Sequence, residues 1–486
     1  MKEKSIVKNS VFYLIYQVFN VLFPFITGMY VARILLPEAN GVVAYAFNIS
    51  GYFSTLAFVG IPTYGLREIS KVRYDQEKLS KLFSELVAIN TISTAICGIA
   101  YLILILSVPD FRDKLPLYLI TGGSILMNFL NISWLFEGLE EFKYISLRNI
   151  FFKGMCIVLL VLFVHSEKDY LRYALITVMG TAGNYILNVT YSRKFVKLTL
   201  KALNLKQHMK SIFALVSVNL AIELYSMVDT TMLGIFSQEV NVAYYTYAQR
   251  IERILLQVIN SFTIVIVPRL ALYYKEKKQA EFNELTSKTF ETIIALGCPL
   301  IVGLSILAKD AVVLIYGEAF AQTGPVLRLL SMMLLISPIG YLLGSRMLLV
   351  TGHENKMVLC VGLGAVVNVI GNFLLIPPFA EIGAAVASII SELSVMIIYI
   401  IMGRKCYQLR GIGKDLGKIL LGTVVMGAAV YFVGKVTDIL LLKIIIQSFC
   451  GILLYFGITF LLKENMVYSY GGRLLQKFGI KKAKAE

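Results

Sequence analysis

Residues 211–268 constrain this chain more than any other part of it, because two stretches long enough to cross a bilayer carry ionisable groups at mid-membrane depth. In the first, SIFALVSVNLAIELYSMVDTTMLGI, Glu223 lies at the midpoint and Asp229 further on. At ~100° per residue on a helix, Asn219, Glu223, Ser226 and Thr230 share one stripe with Asp229 at its margin, and the other faces are apolar. The second stretch, 243–268, places Thr246, Arg250, Arg253, Gln257 and Asn260 on one face, with Ile254, Leu255, Val258 and Ile259 elsewhere. Such stripes are expensive in hydrocarbon, so they must face protein or water. Two arginines on one inner face point to an anion in a transport cavity. The other reading is that they pair with Glu223, Asp229 or Glu252 and simply hold helices together.

The rest of the chain has the same character. Hydrophobic residues make up 57%, charged residues 16% and mean hydropathy is +0.74, which excludes soluble domains at this length of 486 residues. Apolar runs predict an all-α polytopic membrane protein with fourteen transmembrane helices, near 11–35, 41–61, 82–107, 116–136, 148–164, 170–191, 211–235, 243–268, 290–308, 326–350, 356–376, 382–402, 416–434 and 439–462. With the N-terminus inside, 33 of the 46 Lys and Arg fall in inner segments and 8 in outer loops. That asymmetry predicts that both termini are cytoplasmic. It also accounts for the net charge of +16 by topology and attraction to anionic membrane lipids, leaving no need for nucleic acid. The first span is too long for a signal-peptide core. The six cysteines form no CxxC pair and none lies in an outer loop, which argues against disulfides and a cysteine metal site.

Polar stripes recur. The first span aligns Tyr13, Gln17, Asn20, Pro24 and Thr27, with a bend expected at Pro24, and the second aligns Tyr45, Asn48, Tyr52 and Thr55. Tyrosine and amide faces suit sugars, and they equally suit hydrogen bonds between helices. Tyr45, Asn48, Tyr52 and Thr55 match Arg250, Arg253, Gln257 and Asn260 at an offset of 205, and Glu38-Ala39-Asn40 matches Glu239-Val240-Asn241 at 201. These echoes predict two pseudo-symmetric six-helix lobes, 1–192 and 211–402, with two C-terminal helices and a basic tail over 403–486. Between the lobes, 193–210 interleaves lysines with Phe195, Leu198 and Leu203 and is expected to be an amphipathic helix on the inner membrane surface. Glu392 is a third buried carboxylate, while Lys153, Arg346 and Arg33 are placed near span ends, where snorkelling accounts for them.

The chemistry of enzymes is missing. There is no P-loop, no HExxH and no DxD, the three histidines form no ligand set, and the outer loops are too short to hold an acceptor site. No cofactor, metal or catalytic residue is expected.

At GIPTYGLREISKVR, residues 60–73, the chain resembles the polysaccharide repeat-unit flippases, the Wzx-type members of the multidrug/oligosaccharidyl-lipid/polysaccharide exporter superfamily. Asp229 ahead of Gly234 and NVAYYTYAQRIERILL at the entry to the eighth span carry the same resemblance. It implies a protein of the bacterial cytoplasmic membrane that moves an undecaprenyl-diphosphate-linked oligosaccharide to the outer leaflet by alternating access, in company with polymerase and export machinery. Arg67 and Glu68 would be a gate or lobe-packing pair. On this view Arg250 and Arg253 grip the diphosphate, and Gln17, Asn20, Tyr45, Asn48, Tyr52, Gln257 and Asn260 line the sugar path. Glu223, Asp229 and Glu392 become candidates for coupling to H+ or Na+. The competing expectation is an ion-coupled multidrug or small-molecule exporter of the same superfamily, for which those carboxylates would matter more than the arginines.

Overall fold

The computed structural model describes residues 6–58, 60–199, 203–404, 406–409 and 412–468, and within these no strand occurs. The chain divides into two compact units, Met1–Ala243 and Tyr244–Glu486. By length and composition, ten helices among the described residues can cross a membrane.

The first unit holds α1 (Ile6–Phe58), α2 (Ile61–Val72), α3 (Gln76–Ser107), α4 (Pro109–Asp113), α5 (Leu115–Leu126), α6 (Ser133–Gly138), α7 (Phe142–Phe163), α8 (Tyr170–Ser192), α9 (Lys206–Phe236) and the first turn of α10 (Glu239–Lys275). α1 is long enough for two crossings and is interrupted at Leu36, at φ 57° and ψ 174°. The backbone stays helical through Pro24, where a bend was expected. The break comes at the residue before Pro37, whose ring excludes the helical conformation from its predecessor. Asn40 repairs the damage: its buried amide donates to the carbonyls of Leu36 at 2.8 Å and Val31 at 3.4 Å. Asn40→Leu will therefore cost about 1 to 3 kcal/mol by stranding buried carbonyls, measurable as a lower unfolding midpoint of the detergent-solubilised protein.

Packing shows which faces meet lipid. On α3, Ile92, Ile96, Ile99, Ile103 and Leu106 recur at helical spacing and are each more than half exposed, while Asn90, Thr94, Gly98 and Tyr101 on the other side are buried. A polar interior under an apolar surface is the arrangement of a helix bundle in hydrocarbon. The core at the end of the unit near α2 gathers Ile61, Leu79, Phe83, Trp134, Phe136 and Ile145 around Val196 and Ile212.

Of the described residues in the 193–210 linker, 193–199 and 203–205 are turn or irregular backbone and 206–210 form the first turn of α9, while 200–202 lie outside the described residues. Its own backbone N–H groups are satisfied along α3, with Lys197 donating to Ser80 Oγ, Thr199 to Ser84 Oγ and Asn204 to Glu85 Oε1. That removes the need for helical hydrogen bonds. α9 then packs on α1 inside the first unit, so the division of the chain falls within α10 and not at the linker. At the opposite end, the connection from α7 to α8 is a capping box. There the backbone N–H of His165 and the Ser166 backbone and hydroxyl hold the Asp169 carboxyl below its ordinary pKa, against the effect of burial, with Arg172 adding to it.

The second unit contains the remainder of α10, then α11 (Gln279–Tyr316), α12 (Thr323–Leu330), α13 (Met333–Gly340), α14 (Met347–Val350), α15 (Glu354–Gly403), α16 (Ile412–Val433) and α17 (Leu440–Leu461). α15 is interrupted at Ala380, two residues after the Pro377-Pro378 pair. A π-helical turn, Tyr341–Arg346, joins α13 to α14. Its core runs through Ile259, Phe282, Ile293, Leu334, Leu342 and Met347.

Candidate functional site

In the second unit the α10 stripe emerges as the sequence ordered it, with consequences that differ from turn to turn. Arg250 is half-buried and its guanidinium lies 4.4 Å from the centroid of the Tyr247 ring, a cation–π contact. Arg253 and Gln257 are exposed, and Asn260 is half-buried with its Oδ1 unpartnered. Glu252, buried to 6%, is within electrostatic reach of Arg253 and of Glu392 on α15, and Tyr341 in the π-turn feels Glu392, Glu252, Arg346 and Arg253. Glu392 thus joins the α10 arginines. With Glu252, Tyr341 and Arg346 added, two carboxylates, a phenol and two guanidiniums lie within electrostatic reach of one another. Arg346 was expected to snorkel; its Nε is buried without a partner. π-turns gather at functional positions because they re-aim side chains out of helical register.

In the first unit the second-span stripe is taken up by α9. Asn48 donates to the Met227 carbonyl at 3.3 Å and to Thr231 Oγ1 at 2.7 Å, and Thr231 donates to the Tyr52 hydroxyl at 2.8 Å. Tyr45 is buried against Phe111, and its ring occupies the place a side chain at Gly234 would need. Asp229, 6% exposed, is buried on the same helix. Glu223 and Asn219 fall on α9 where side chains are outside the described residues. Gln17 is exposed and donates to the Tyr13 hydroxyl at 2.7 Å. Arg67 and Glu68 pair with each other at 2.9 Å on the exposed face of α2, and Lys71 shares Glu68 at 2.8 Å.

Asn20 leads to a site that sequence reasoning passed over. Its Oδ1 accepts from Lys153 Nζ at 2.5 Å and from Asn149 Nδ2 at 3.2 Å. Lys153 sits ~16 Å along α7 from Phe142 and Arg148 ~9 Å, both inside a helix long and apolar enough to cross a membrane. Both border a cavity of about 320 Å³ enclosed by α1, α6, α7 and α8. α7 and α8 can approach there because Gly180 leaves room for the Cys156 sulfur and Gly183 for the Phe152 ring. The approach brings Asn184 Oδ1 to Arg148 Nε at 3.0 Å. Arg148 is 7% exposed, its guanidinium lies 5.3 Å from the Tyr144 ring, and its Nη1 has no hydrogen-bond partner. Lys153 is not a snorkelling residue: its ammonium points at Asn20 and the Phe23 ring. The signal for this site was present as an amide at helical spacing from a cation, Asn149 four residues before Lys153.

Comparison with known proteins places this geometry in context. The family described as "Polysaccharide biosynthesis protein" matches residues 6–274. A putative O-antigen transporter of Escherichia coli (strain K12) is 23% identical over 414 residues, covering 82% of this chain and 97% of that one. The capsular polysaccharide biosynthesis protein CapF of Staphylococcus aureus is 24% identical over 418 residues, covering 81% and 98%. Among solved structures, the lipid II flippase MurJ in an inward closed conformation shares the fold at a TM-score of 0.78 and 17% identity, covering 94% of this chain and 99% of its own.

Proposed function

We propose that this chain, which belongs to the polysaccharide biosynthesis protein family, is a flippase that carries lipid-linked oligosaccharide units across the membrane. The carrier lipid is undecaprenyl diphosphate, the cycle is alternating access, and the direction is from the cytoplasmic to the outer leaflet of the bacterial cytoplasmic membrane. The names of its relatives, O-antigen transporter and capsular polysaccharide protein, support transport of glycan units rather than catalysis. On this reading there are fourteen crossings, counting the interrupted helices α1 and α15 as two each and adding α8 and α9, with both termini cytoplasmic.

One observation carries the mechanism. Arg253 is exposed ~21 Å along α10 from Glu239, near the middle of a 37-residue helix, and on the reading that α10 spans the membrane an exposed guanidinium there calls for water or a charged cargo beyond the neighbouring carboxylates. Gln257, one turn on, is exposed beside it. A diphosphate of about two negative charges is the matching cargo, because the guanidinium fork grips phosphate oxygens in pairs. An inside-negative potential favours its outward passage by ~2.3 kcal/mol per charge per 100 mV, roughly 4 to 5 kcal/mol for two charges. Proton or Na+ coupling through Asp229 or Glu392 would add to that drive. The test is a deletion strain in which the carrier-linked oligosaccharide is quantified by leaflet. Accumulation in the cytoplasmic leaflet with loss of surface glycan supports the reading. Unchanged glycan with altered drug resistance would replace it with a drug exporter.

A further inference from the structure

We propose that the cavity between α1, α6, α7 and α8 is a binding site for the phosphate groups of a lipid, held by Arg148 and Lys153. Four observations converge on it. Arg148 is more than nine-tenths buried, yet it spends only Nε on a neutral amide and leaves Nη1 without an acceptor. A buried guanidinium with a vacant donor is costly unless an acceptor arrives. Lys153 supplies a second cation in the same cavity, engaged with the neutral Asn20 and with no carboxylate. The one carboxylate in the lining, Glu137, is within electrostatic reach of Arg148, and one carboxylate against two cations leaves the cavity with an excess of basic groups. Finally, Trp134 Nε1 is a further buried donor without an acceptor, and the Oδ1 atoms of Asn131 and Asn149 are buried acceptors without donors.

That inventory describes the ligand. Vacant cationic donors call for phosphate oxygens, and vacant amide oxygens beside them call for hydroxyl groups such as those of a sugar next to the phosphate. About 320 Å³ is at the small end of the ~300–1,000 Å³ usual for ligand sites, enough for a head group while the acyl or prenyl tail stays in lipid. The same phosphate chemistry could come from the cargo or from a resident glycerophospholipid. Assigning it to the cargo rests on the transport reading above; the anion site itself does not.

Trp134 is the sole tryptophan of the chain and its side chain borders the cavity, so its fluorescence reports on the site. The full-length protein in nanodiscs of neutral phosphatidylcholine is titrated with inorganic pyrophosphate, with undecaprenyl diphosphate, and with phosphatidylglycerol incorporated in the disc. A saturable change in Trp134 emission with pyrophosphate is expected, weakened at least 10-fold by Arg148→Gln and by Lys153→Met, partly restored in Arg148→Lys, and retained in Arg253→Ala. Undecaprenyl diphosphate acting at lower concentration than phosphatidylglycerol supports the cargo as ligand; the reverse order keeps the anion site and overturns that assignment. Should Arg148→Gln fail to insert, the wild-type titration decides alone: emission unresponsive to all three probes overturns the site. So does a response that Lys153→Met leaves intact. Loss of transport in Arg253→Ala with the Trp134 response preserved separates failure of this site from failure of the transport reading.

Discussion

Glu85→Ala will destabilise the protein by about 3 to 5 kcal/mol, the cost of removing one partner from a buried charged network. Glu85 is 2% exposed, and its carboxylate accepts from the Asn204 backbone N–H at 2.8 Å, from Gln207 Nε2 at 3.0 Å and from His208 Nε2 at 2.9 Å. With Nε2 protonated, the neutral ring presents Nδ1 to the Tyr64 hydroxyl at 2.8 Å, so one acid ties α2, α3 and the start of α9 together. Truncation strands three buried donors at once. Glu85→Gln will fall between, because its amide oxygen can keep one donor while its NH2 opposes the others. The measurement is thermal unfolding in detergent, with His208→Ala and the double variant completing a cycle. A coupling energy near zero would show that the three helices are held by packing alone.

Arg253→Ala will lower transport of the lipid-linked oligosaccharide by about 100-fold or more with only a small shift of the unfolding midpoint. The side chain is exposed and contributes little to packing, so what its removal costs in stability is its electrostatic effect on the buried Glu252. A doubly bonded guanidinium on phosphate is worth about 1.5 to 3 kcal/mol per charged hydrogen bond, and two such bonds exceed the ~2.7 kcal/mol that a factor of 100 requires. Arg253→Lys keeps the charge and loses the fork, so it will retain part of the rate. Glu252→Gln will behave differently, since Glu252 is buried and its charge is part of the balance with Arg253 and Glu392. Transport in proteoliposomes and thermal unfolding, measured on the same preparations, separate the two effects. Undiminished transport by Arg253→Ala would remove α10 from the cargo path.

Most of the helical architecture was legible because periodicity and hydropathy report burial directly. The polar stripe on the second span was read correctly as a stripe, but only the coordinates show Asn48 and Tyr52 engaged with Met227 and Thr231 of α9. Arg148 was missed for a physical reason. A hydropathy window marks the apolar part of a helix, and the polar lead FKYISL hid the first turn and a half of α7. The fifth span therefore appeared to begin at Arg148, which placed Arg148 outside the membrane and Lys153 near its edge. The same limitation placed a helix in the linker, where side-chain amphipathicity was visible and the acceptors on Ser80, Ser84 and Glu85 were not. At Pro24 and Pro37 the residue type is the same, yet only the residue before Pro37 leaves helical backbone angles, and there the Asn40 amide takes up the Leu36 carbonyl.

At Lys197 and Thr199 the linker is held by its peptide groups, and that makes these two positions indifferent to which side chains they carry. Either could be exchanged for most other residues without releasing the linker, whereas proline at either position would delete the donor that Ser80 or Ser84 receives. Spelling is thus free at these two positions and fixed at Phe195 and Val196, whose side chains enter the core, and on the dock. A chimaera that imports a foreign tether keeping Phe195 and Val196 should assemble, and one that imports a dock lacking those hydroxyls should not.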